Sequence, residues 1–483
     1  MHSPDIPPAQ PPLSSGPWWR ELNSYHWFVL IVAALGWLFD TMDQQLFVLA
    51  RTPALTALLA DQLPDPEAET DPVRKAAVQQ ERTDKLGKYG NYATAIFIVG
   101  WATGGLIFGM FSDRLGRART MMYTILIYSM FTGLSALSWD WWSFAFFRFI
   151  TGMGVGGEFA AGVSLVAEVM PARARPHALG LLQALSAVGN MTAAGFSFLL
   201  PPQVEVREGI QGWRLLFLVG ILPALLVILI FKKLREPESW QRAKEAIKKG
   251  ERSDEAHRQL GDMKEMFRDP RWRFHTIIGV SLAVTGVLAL WGVNFFTPEL
   301  VRDNAKRAGL PKGDQDWYAS MTSLLQNFGA FFGIYVFGWL TARVGRRWSF
   351  AVSMLLGWVA TVMVFGFMTV PWQIWWMIPL LGFCSLMIFG GYAIYFPELY
   401  PTRLRSTGTG FCYNVARYLA AALIFAAAPL AGWFGGLGLT VLSDLGSVDS
   451  GFRYASISVA SVFLLGLLIL PFAPETKGKP LPE

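Results

Sequence analysis

Twelve apolar stretches, each about as long as a membrane-spanning helix, divide this chain of 483 residues. A helix needs about 20 apolar residues to cross the hydrocarbon core of a bilayer. The composition agrees, because 53% of the residues are hydrophobic and only 16% are charged, whereas soluble proteins contain about 25% charged residues. We predict an all-α integral membrane protein with twelve transmembrane helices, at roughly 27–50, 90–111, 121–138, 142–167, 179–200, 214–231, 275–297, 318–340, 349–370, 373–396, 406–432 and 452–472.

The two halves of the chain repeat the same motifs. GMFSDRLGR at 109–117 aligns with GWLTARVGR at 338–346, and EVMPARARPHALG at 168–180 aligns with ELYPTRLRSTGTG at 398–410. The two offsets, 229 and 230 residues, are nearly equal, which indicates a duplicated six-helix unit. Transporters built from such repeats bind substrate near the membrane midplane, between the repeats.

The repeat therefore predicts two pseudo-symmetric six-helix bundles, 27–231 and 275–472, with tails at 1–26 and 473–483. A charged linker, 232–274, joins them, and we expect short helices at 238–249 and 262–267 within it. A second polar stretch, 51–89, joins the first two spans as a loop or as a cap over the outer mouth.

Arginines are unevenly distributed among the short loops. They follow the second, fourth, eighth and tenth spans, whereas the loops after the third and ninth spans carry almost no lysine or arginine. The positive-inside rule then places both termini and the linker in the cytoplasm of a protein of the inner (plasma) membrane.

The remaining composition excludes several classes of function. The basic residues lie in short loops rather than along one face, so nucleic acid is not an expected partner. Cys384 and Cys412 lie inside apolar stretches, so neither a disulfide nor a metal site is expected, and no cofactor is implied. The chain has no H-E-x-x-H or G-x-S-x-G motif, so we do not expect an enzyme. A monomer in the lipid bilayer is the expected state.

The pattern G-x-x-x-D-R-x-G-R at 109–117 resembles the signature loop of the major facilitator superfamily. The resemblance covers all twelve spans, although the second copy has Ala342 where the first has Asp113. PES at 237–239 and PETKG at 474–478 are similar to motifs of the sugar-porter branch. GVGGEFAAGVSLVAE at 154–168 resembles instead the sialate:proton symporter branch and related carboxylate permeases. The family resemblance implies a secondary transporter that works by alternating access.

Charged residues inside the spans are candidates for proton coupling, because an intramembrane ionisable group is costly and functional by default. Asp40 and Asp43 share a face of the first span, and Arg148 lies at a matching depth in the fourth. Such a pair resembles the proton-coupling pair of bacterial sugar symporters, although it could also be a structural ion pair. The sequence does not choose between the two aspartates. Glu158 could carry the proton, bind substrate or hold an arginine.

Arg417 lies eleven residues into the eleventh span, close to the midplane. Its guanidinium could bind a substrate carboxylate in bidentate fashion, or it could instead neutralise Glu158 or Asp40. Other polar residues in the middle of the spans could donate hydrogen bonds to the substrate, although several must be helix-to-helix contacts; they are Gln183, Asn190, Asn294, Gln326, Asn327, Tyr392 and Asn414. We expect most of the 20 tryptophans and 36 phenylalanines to face lipid or the membrane interface, and we do not interpret them as an aromatic substrate box.

Charged residues at the predicted cytoplasmic ends are expected to form a gate. Asp113 should meet the N-terminus of the eleventh span near Ser406, where the helix dipole favours a carboxylate. The resemblance implies that Glu168 and Glu398 pair with arginines of the opposite half when the cytoplasmic side is closed. The alternative is that these charges only anchor loops at lipid headgroups. The other predicted gate residues are Arg114, Arg117, Arg173, Arg175, Arg343, Arg346, Arg403 and Arg405.

We therefore predict proton-coupled symport of a small organic anion, either a carboxylate or an acidic sugar. The alternative within the same class is a proton-coupled sugar or polyol symporter, which PES and PETKG favour. A more distant alternative is a sensor that keeps the fold and signals through the 232–274 linker.

Overall fold

The computed structural model describes residues 16–207, 210–249, 260–445 and 447–482. Long helices dominate the first half, which contains α1 (Ser24–Leu58), α2 (Pro72–Leu115), α3 (Arg117–Ser135), α4 (Trp141–Val169), α5 (Arg175–Leu199), α6 (Gly212–Val219) and α7 (Ala224–Lys233). The linker contributes α8 (Glu238–Lys249) and α9 (Met263–Arg268). The second half contains α10 (Pro270–Arg307), α11 (Lys312–Val344), α12 (Arg346–Phe367), α13 (Ile374–Leu386), α14 (Ile388–Glu398), α15 (Arg405–Gly436), α16 (Val441–Asp444), α17 (Gly451–Ala460) and α18 (Val462–Leu467).

Ten stretches of the described chain are long and apolar enough to cross a membrane. They are α1, α2, α4, α5, α10, α11, α12, the continuous stretch Pro371–Glu398 that contains α13 and α14, α15, and Gly451–Phe472, which contains α17 and α18. The shorter α3 and the broken pair α6–α7 complete the twelve predicted spans. The predicted fold class is confirmed, and so are the two short linker helices, as α8 and α9. One antiparallel pair, β1 (Glu205–Arg207) with β2 (Ile210–Gln211), lies outside the helices.

Of the two alternatives for 51–89, a simple loop is wrong, because most of this stretch is helical. α1 continues to Leu58, and α2 begins at Pro72, well before the first apolar residue of the second span. Asp71 caps α2 by accepting a hydrogen bond from the Val73 N–H, and Pro72 fits the first helical turn, where it removes no needed donor. Hydropathy located the membrane segment, but capping residues determine where the helix begins.

The sixth span was predicted as one helix, and the structure shows two. α6 ends at Val219 and α7 begins at Ala224. Pro223 precedes α7 and cannot donate the backbone hydrogen bond that a continuous helix would need there.

The two halves meet along two equivalent helix pairs. α2 packs against α15, where a Cβ added to Gly410 would lie 2.5 Å from the Gly105 carbonyl oxygen. α5 packs against α11, where a Cβ added to Gly180 would lie 3.2 Å from the Gly338 Cα. In the sequence repeat Gly180 aligns with Gly410, and α2 corresponds to α11. The interface therefore has the pseudo-twofold symmetry that the duplication predicts, and glycine allows the backbones to approach closely.

The arginine-rich turns of both halves lie at one end of the helices, which we call the basic end. It comprises the turns around 113–117, 170–175, 343–346 and 400–405, together with α8, α9 and the described parts of both tails. The other end of the helices is called the opposite end.

Candidate transport site

Asp43 of α1 and Arg148 of α4 form an ion pair inside the first half. Arg148 Nη1 lies 3.8 Å from Asp43 Oδ2, and both side chains are fully buried. The same guanidinium donates to Ser135 Oγ at 2.7 Å and to Thr151 Oγ1 at 3.0 Å, and it lies 4.8 Å from the centroid of the Phe217 ring. The predicted ion pair of a first-span aspartate with Arg148 is therefore present, and the aspartate that forms it is Asp43. At 3.8 Å the pair is an electrostatic contact rather than a hydrogen bond.

Asp40 and Glu158 form a second acidic group one turn away. Both side chains are buried, and within the described chain none of their carboxylate oxygens has a hydrogen-bond partner. Gly36 makes room for Glu158, because a Cβ at that position would lie 2.6 Å from Glu158 Oε1. Asp40 lies within electrostatic range of Glu158, Asp43 and Arg417. Three carboxyl groups with no hydrogen-bond donors thus share the interior of the first half.

Arg417 of α15 lies between two aromatic rings. Its Cζ is 4.1 Å from the centroid of Trp101 in α2 and 4.2 Å from that of Tyr413 in its own helix. Arg417 Nη1 donates to the Tyr413 carbonyl at 2.6 Å and to Asn414 Oδ1 at 3.0 Å. Its side chain is 4% exposed, and in the described chain it forms no salt bridge with a carboxylate. The alternative in which Arg417 pairs directly with Glu158 or Asp40 is not what the structure shows.

The predicted hydrogen-bonding residues have different positions. Asn190 Nδ2 donates to Asn327 Oδ1 at 2.8 Å and so joins α5 to α11. Tyr392 donates to the Leu282 carbonyl at 2.7 Å, which is a contact inside the second half. Asn414 donates to the Gly410 carbonyl and orients Arg417. These four residues therefore make helix contacts in this conformation.

The other three polar candidates complete this group. Gln183 is buried beside the Tyr413 side chain, and its Oε1 has no partner in the described chain. Gln326 is also buried. The side chain of Asn294 lies outside the described part of the chain.

Several hydrogen bonds join the two halves at the basic end. Asp113 accepts from the Ser406 and Thr407 N–H groups at 3.2 and 2.8 Å, and from Thr407 Oγ1 at 2.6 Å. This is the predicted contact of Asp113 with the N-terminus of α15. Arg117 Nη2 donates to the Thr402 carbonyl at 2.6 Å.

Glu168 joins the halves as well, whereas its counterpart Glu398 does not. Glu168 Oε1 accepts from Arg117 of its own half at 2.9 Å and from Arg405 of the other half at 2.7 Å. Glu398 Oε1 accepts from Arg346 of its own half at 2.7 Å, and Glu398 Oε2 accepts from Thr476 at 2.6 Å. A direct ion pair between the halves is thus present for Glu168, whereas Glu398 lies only within electrostatic range of Arg175 of the other half.

The remaining predicted gate arginines contact neighbouring segments. Arg114 donates to the Leu260 carbonyl of the linker, and Arg403 pairs with Glu265 of α9 at 2.7 Å. The others are Arg173, which pairs with Glu21 of the N-terminal segment at 2.8 Å, Arg175, which donates to the Ala167 carbonyl at 2.8 Å, and Arg343, which lies 3.9 Å from the Trp339 ring centroid. The linker and tails are therefore part of the basic end rather than separate extensions.

The sugar-porter-like motifs occur at two equivalent helix caps. Glu236, next to PES, accepts from the N–H groups of Ala118 and Arg119 at the start of α3. Glu475 of PETKG accepts from the N–H groups of Arg346 and Arg347 at the start of α12. Burial raises the pKa of Glu475, but the N–H groups that it accepts from outweigh burial and hold the pKa below its ordinary value. Glu475 of PETKG and Glu236, which directly precedes PES, therefore have a structural role, and Ser239 of PES donates to Glu168 at 3.2 Å.

Hydrogen bonds also join the halves farther from the basic end. In addition to the pair Asn190–Asn327, Gln45 Nε2 of α1 lies 3.3 Å from Ser323 Oγ of α11. The hydroxyls of Thr103 in α2 and Tyr418 in α15 lie 2.9 Å apart. Contacts between the two halves therefore occur both between Arg417 and the basic end and between Arg417 and the opposite end.

Sequence reasoning missed the aromatic residues beside Arg417. Phe159 of α4 stacks on Tyr413 with ring centroids 3.9 Å apart, and Trp37 of α1 lies 4.7 Å from Phe159. These rings are buried and are exceptions to the expectation that most aromatic residues face lipid or the membrane interface. The spacing of Tyr413 and Arg417, four residues apart on one helix face, was an available signal. Nothing in the sequence placed Trp101 or Phe159 beside them.

Comparisons with known proteins agree with this architecture. The family model described as Major Facilitator Superfamily matches residues 85–425. The chain is 28% identical over 463 residues to a putative metabolite transport protein of Haemophilus influenzae, covering 96% of this chain and 99% of the relative. It is 28% identical to the cis,cis-muconate transport protein of Acinetobacter baylyi, covering 82% and 87%. It is also 28% identical to the sialic acid transporter NanX of Escherichia coli, covering 69% and 75%.

A solved structure shows the same fold. The proton:xylose symporter XylE bound to 6-bromo-6-deoxy-D-glucose superposes with a TM-score of 0.71 at 18% identity, covering 95% of this chain and 98% of that one. The resemblance seen in the signature loop is therefore confirmed by the family match and by the fold. The chain belongs to the Major Facilitator Superfamily and is a multi-pass membrane transporter, not an enzyme.

Proposed function

We propose that this protein carries a small organic anion into the cell together with a proton, by alternating access across the plasma membrane. The basic end faces the cytoplasm in this proposal, because the positive-inside rule assigns its arginines to that side. One chain is sufficient as a monomer, since both halves that bound the site belong to it.

Arg417 is the observation that carries the proposal. It is a buried cation at the interface between the halves, and no carboxylate in the described chain lies within 4 Å of it. A buried charge without a partner is costly, so its presence requires a compensating function. A substrate carboxylate would supply the missing negative charge, and a guanidinium suits it geometrically. The two rings and the bonds from Nη1 to Tyr413 and Asn414 fix the direction of the guanidinium.

The acidic group of the first half supports proton coupling. The oxygens of Asp40, Asp43 and Glu158 are buried and have no hydrogen-bond partner in the described chain. Burying a charged carboxylate without donors costs far more than burying the neutral acid, so binding a proton stabilises this group. Asp40 is within electrostatic range of Arg417 and of Glu158, so a bound anion and a bound proton can influence each other.

The ion pair of Asp43 and Arg148 provides a second route for coupling. Arg148 also donates to Ser135 and Thr151, so its position does not depend on Asp43 alone. When Asp43 takes up a proton, these two bonds still hold the arginine in place, although its buried charge then lacks its acidic partner.

Relatives are consistent with an anionic substrate. Two of the similar proteins are described as transporting cis,cis-muconate and sialic acid, and both compounds are carboxylates at neutral pH. The motifs that favoured a neutral sugar are accounted for by the caps of α3 and α12. The likeness to the xylose symporter supports the fold and carries no argument about substrate.

External pH in lightly buffered proteoliposomes tests the proposal. A pool of small organic acids and a pool of sugars are added separately to wild type, Arg417→Ala and Arg51→Ala. Arg51 is a matched control, because it is a mostly buried arginine in a membrane helix that hydrogen-bonds to Thr94 at 2.6 Å, away from Arg417. We expect alkalinisation with the acids only, lost in Arg417→Ala and retained in Arg51→Ala.

Three other results would contradict parts of the proposal. Alkalinisation by the sugar pool would indicate that the substrate is a neutral sugar rather than an organic anion. Equal loss in both arginine variants would remove the substrate role of Arg417. Uptake of a labelled acid without any pH change would remove the proton role of the acidic group.

A further inference from the structure

A continuous stack of flat side chains crosses the interface between the halves. Trp101 and Tyr413 both lie against the Arg417 guanidinium, with ring centroids 4.1 and 4.2 Å from its Cζ. Phe159 stacks on Tyr413 at 3.9 Å with the planes 21° apart, and Trp37 follows at 4.7 Å. Arg417 and Phe159 must occupy opposite faces of Tyr413, because two groups about 4 Å above one ring cannot share a face.

Both halves contribute to this stack. Trp37, Trp101 and Phe159 belong to α1, α2 and α4 of the first half, whereas Tyr413 and Arg417 belong to α15. Any movement that separates the halves here must separate Phe159 from Tyr413. The separation exposes two parallel ring faces beside the guanidinium, and a flat ligand can replace the lost contact on both of them.

Unpaired hydrogen-bond donors lie in the same place. The indole N–H groups of Trp37 and Trp101 are buried, and within the described chain neither has an acceptor. The two residues are 2% and 4% exposed. A buried N–H without a partner costs free energy, and a carboxylate, which only accepts hydrogen bonds, is a suitable partner for an indole N–H. Together with Arg417 they form a donor group on an otherwise aromatic surface.

The borders of the stack are also aromatic. Phe389 and Tyr392 meet Tyr413 edge-on, with centroids 6.4 and 6.2 Å away, and the Tyr392 hydroxyl is already bonded to the Leu282 carbonyl. Gln183 is the polar neighbour of Tyr413 that keeps a free oxygen. The acceptors left for ligand hydroxyls near Arg417 are Gln183 and Asp40 of the acidic group, so a ligand with many hydroxyl groups would lose its hydration here and leave most of them without a partner.

We propose that the substrate is a flat, conjugated carboxylate, with an aromatic or polyene body rather than a saturated or polyhydroxylated one. Its body lies between Phe159 and Tyr413, and its carboxylate binds Arg417 with help from an indole N–H. This specificity rests on the proposed anion transport and goes beyond it, because Arg417 alone would accept any small carboxylate.

Uptake into proteoliposomes, corrected for uptake into empty liposomes, distinguishes a preference for flat, conjugated carboxylates from transport of any small carboxylate. The probes are labelled benzoate, and unlabelled cyclohexanecarboxylate and glucuronate as competitors at pH 7.5. The first two acids have the same number of ring carbons and differ in flatness and conjugation. In wild type we expect benzoate to be carried with a KM roughly two- to tenfold below the inhibition constant of cyclohexanecarboxylate, which is the range of an aromatic stacking contact. Glucuronate should compete least.

Two variants test the assigned contacts. Phe159→Leu should remove the preference for benzoate over cyclohexanecarboxylate, and Phe337→Leu, at a buried phenylalanine packed on Phe350 in the second half, should keep it. Trp101→Phe retains a ring over Arg417 and loses the N–H, so the constants for both acids should rise roughly tenfold or more together. Trp358→Phe is the control, since its indole bonds to Ser461 far from the stack.

The outcomes are distinguishable. Equal or better binding of cyclohexanecarboxylate or glucuronate in wild type overturns the conjugated-substrate inference and leaves anion transport standing. Failure to transport or bind any carboxylate overturns the proposed function itself. The wild-type comparison needs no variant, so it decides the matter even if a substituted protein does not fold.

Discussion

Replacing Glu168 with glutamine removes the charge that joins the two halves at the basic end. Glu168 is buried and accepts from Arg117 of its own half and from Arg405 of the other half at 2.7 Å. The contact with Arg405 can exist only while the basic end is closed. The contact with Arg117 stays within one half, so opening of the basic end does not require it to break. The substitution should therefore destabilise the closed conformation selectively.

The size of the effect follows from this one contact. A hydrogen bond to a charged group contributes about 1.5–3 kcal/mol. Glutamine keeps an acceptor oxygen but loses the charge, so about 1–2 kcal/mol of the Arg405 contact should be lost. At about 1.36 kcal/mol per factor of ten, the fraction of molecules open at the basic end should rise roughly five- to thirtyfold.

Alkylation of a buried cysteine measures that fraction. Ser406 is fully buried at the interface, where its hydroxyl lies 2.9 Å from that of Ser112. A cysteine at 406, with Cys384 and Cys412 replaced by alanine, should react with a permeant maleimide only when the basic end opens. Glu168→Gln should raise the alkylation rate by the factor above.

Glu398→Gln is the matched control. Glu398 is the repeat counterpart of Glu168 and is bonded to Arg346 and Thr476 of its own half. Its replacement should lower the melting temperature without changing the alkylation rate by more than about threefold, which corresponds to less than about 1 kcal/mol. An unchanged rate in Glu168→Gln, or the same increase in both variants, would refute the idea that Glu168 alone of the two acids holds the halves together.

Three further predictions concern other contacts. Gly36→Ala should impair proton-coupled uptake, because its Cβ would lie 2.6 Å from Glu158 Oε1, whereas Gly87→Ala, with nothing within 4 Å, should transport normally; proteoliposome uptake driven by a pH gradient decides this. Asp43→Asn should destabilise the protein by about 3–5 kcal/mol by leaving the Arg148 charge without its acid, and a double-mutant cycle with Arg148→Met, followed by melting in detergent, should recover most of the loss. Glu475→Gln should lower the melting temperature at pH 7, because the pKa of Glu475 is held below its ordinary value and its stabilisation is present when the carboxylate is ionised. The difference from wild type should shrink as the pH falls below the ordinary value of 4.5, and a difference that stays constant down to pH 3 would contradict the capping role.

The sequence was sufficient for the architecture because membrane burial imposes a simple rule. Apolar length located the spans, and repeated motifs predicted the two halves and their pairing. The contact of Asp113 with the start of α15 was also predictable, since a carboxylate at a helix N-terminus is favoured locally. What failed depended on residues distant in sequence or on local capping. The early start of α2 followed from Asp71 and Pro72, which hydropathy does not register.

The candidate site was predicted less completely. Arg417 and the acidic residues were found because a charge in a membrane span is unusual. Trp101 and Phe159 could not be recognised, because aromatic residues are common in every span and only the packing of three helices selects these two. The different partners of Glu168 and Glu398 were also invisible, because their surrounding motifs are nearly the same.

The two glycine-lined helix pairs at the interface are alike in backbone and unlike in chemistry. Asp113 fastens α2 to α15 through three hydrogen bonds, whereas its counterpart on α11 is Ala342, which offers no acceptor to α5. At the basic end the contact of Gly180 with Gly338 can slide without breaking such a carboxylate contact, and the hydrogen bond between Asn190 and Asn327 joins α5 to α11 only farther from that end. The halves should therefore begin to part along α5 and α11 and pivot on α2 and α15. Although the two halves are related by pseudo-twofold symmetry, they would then rotate about an axis near α2 and α15 rather than about the centre of the interface. The α5–α11 side would always open before the α2–α15 side.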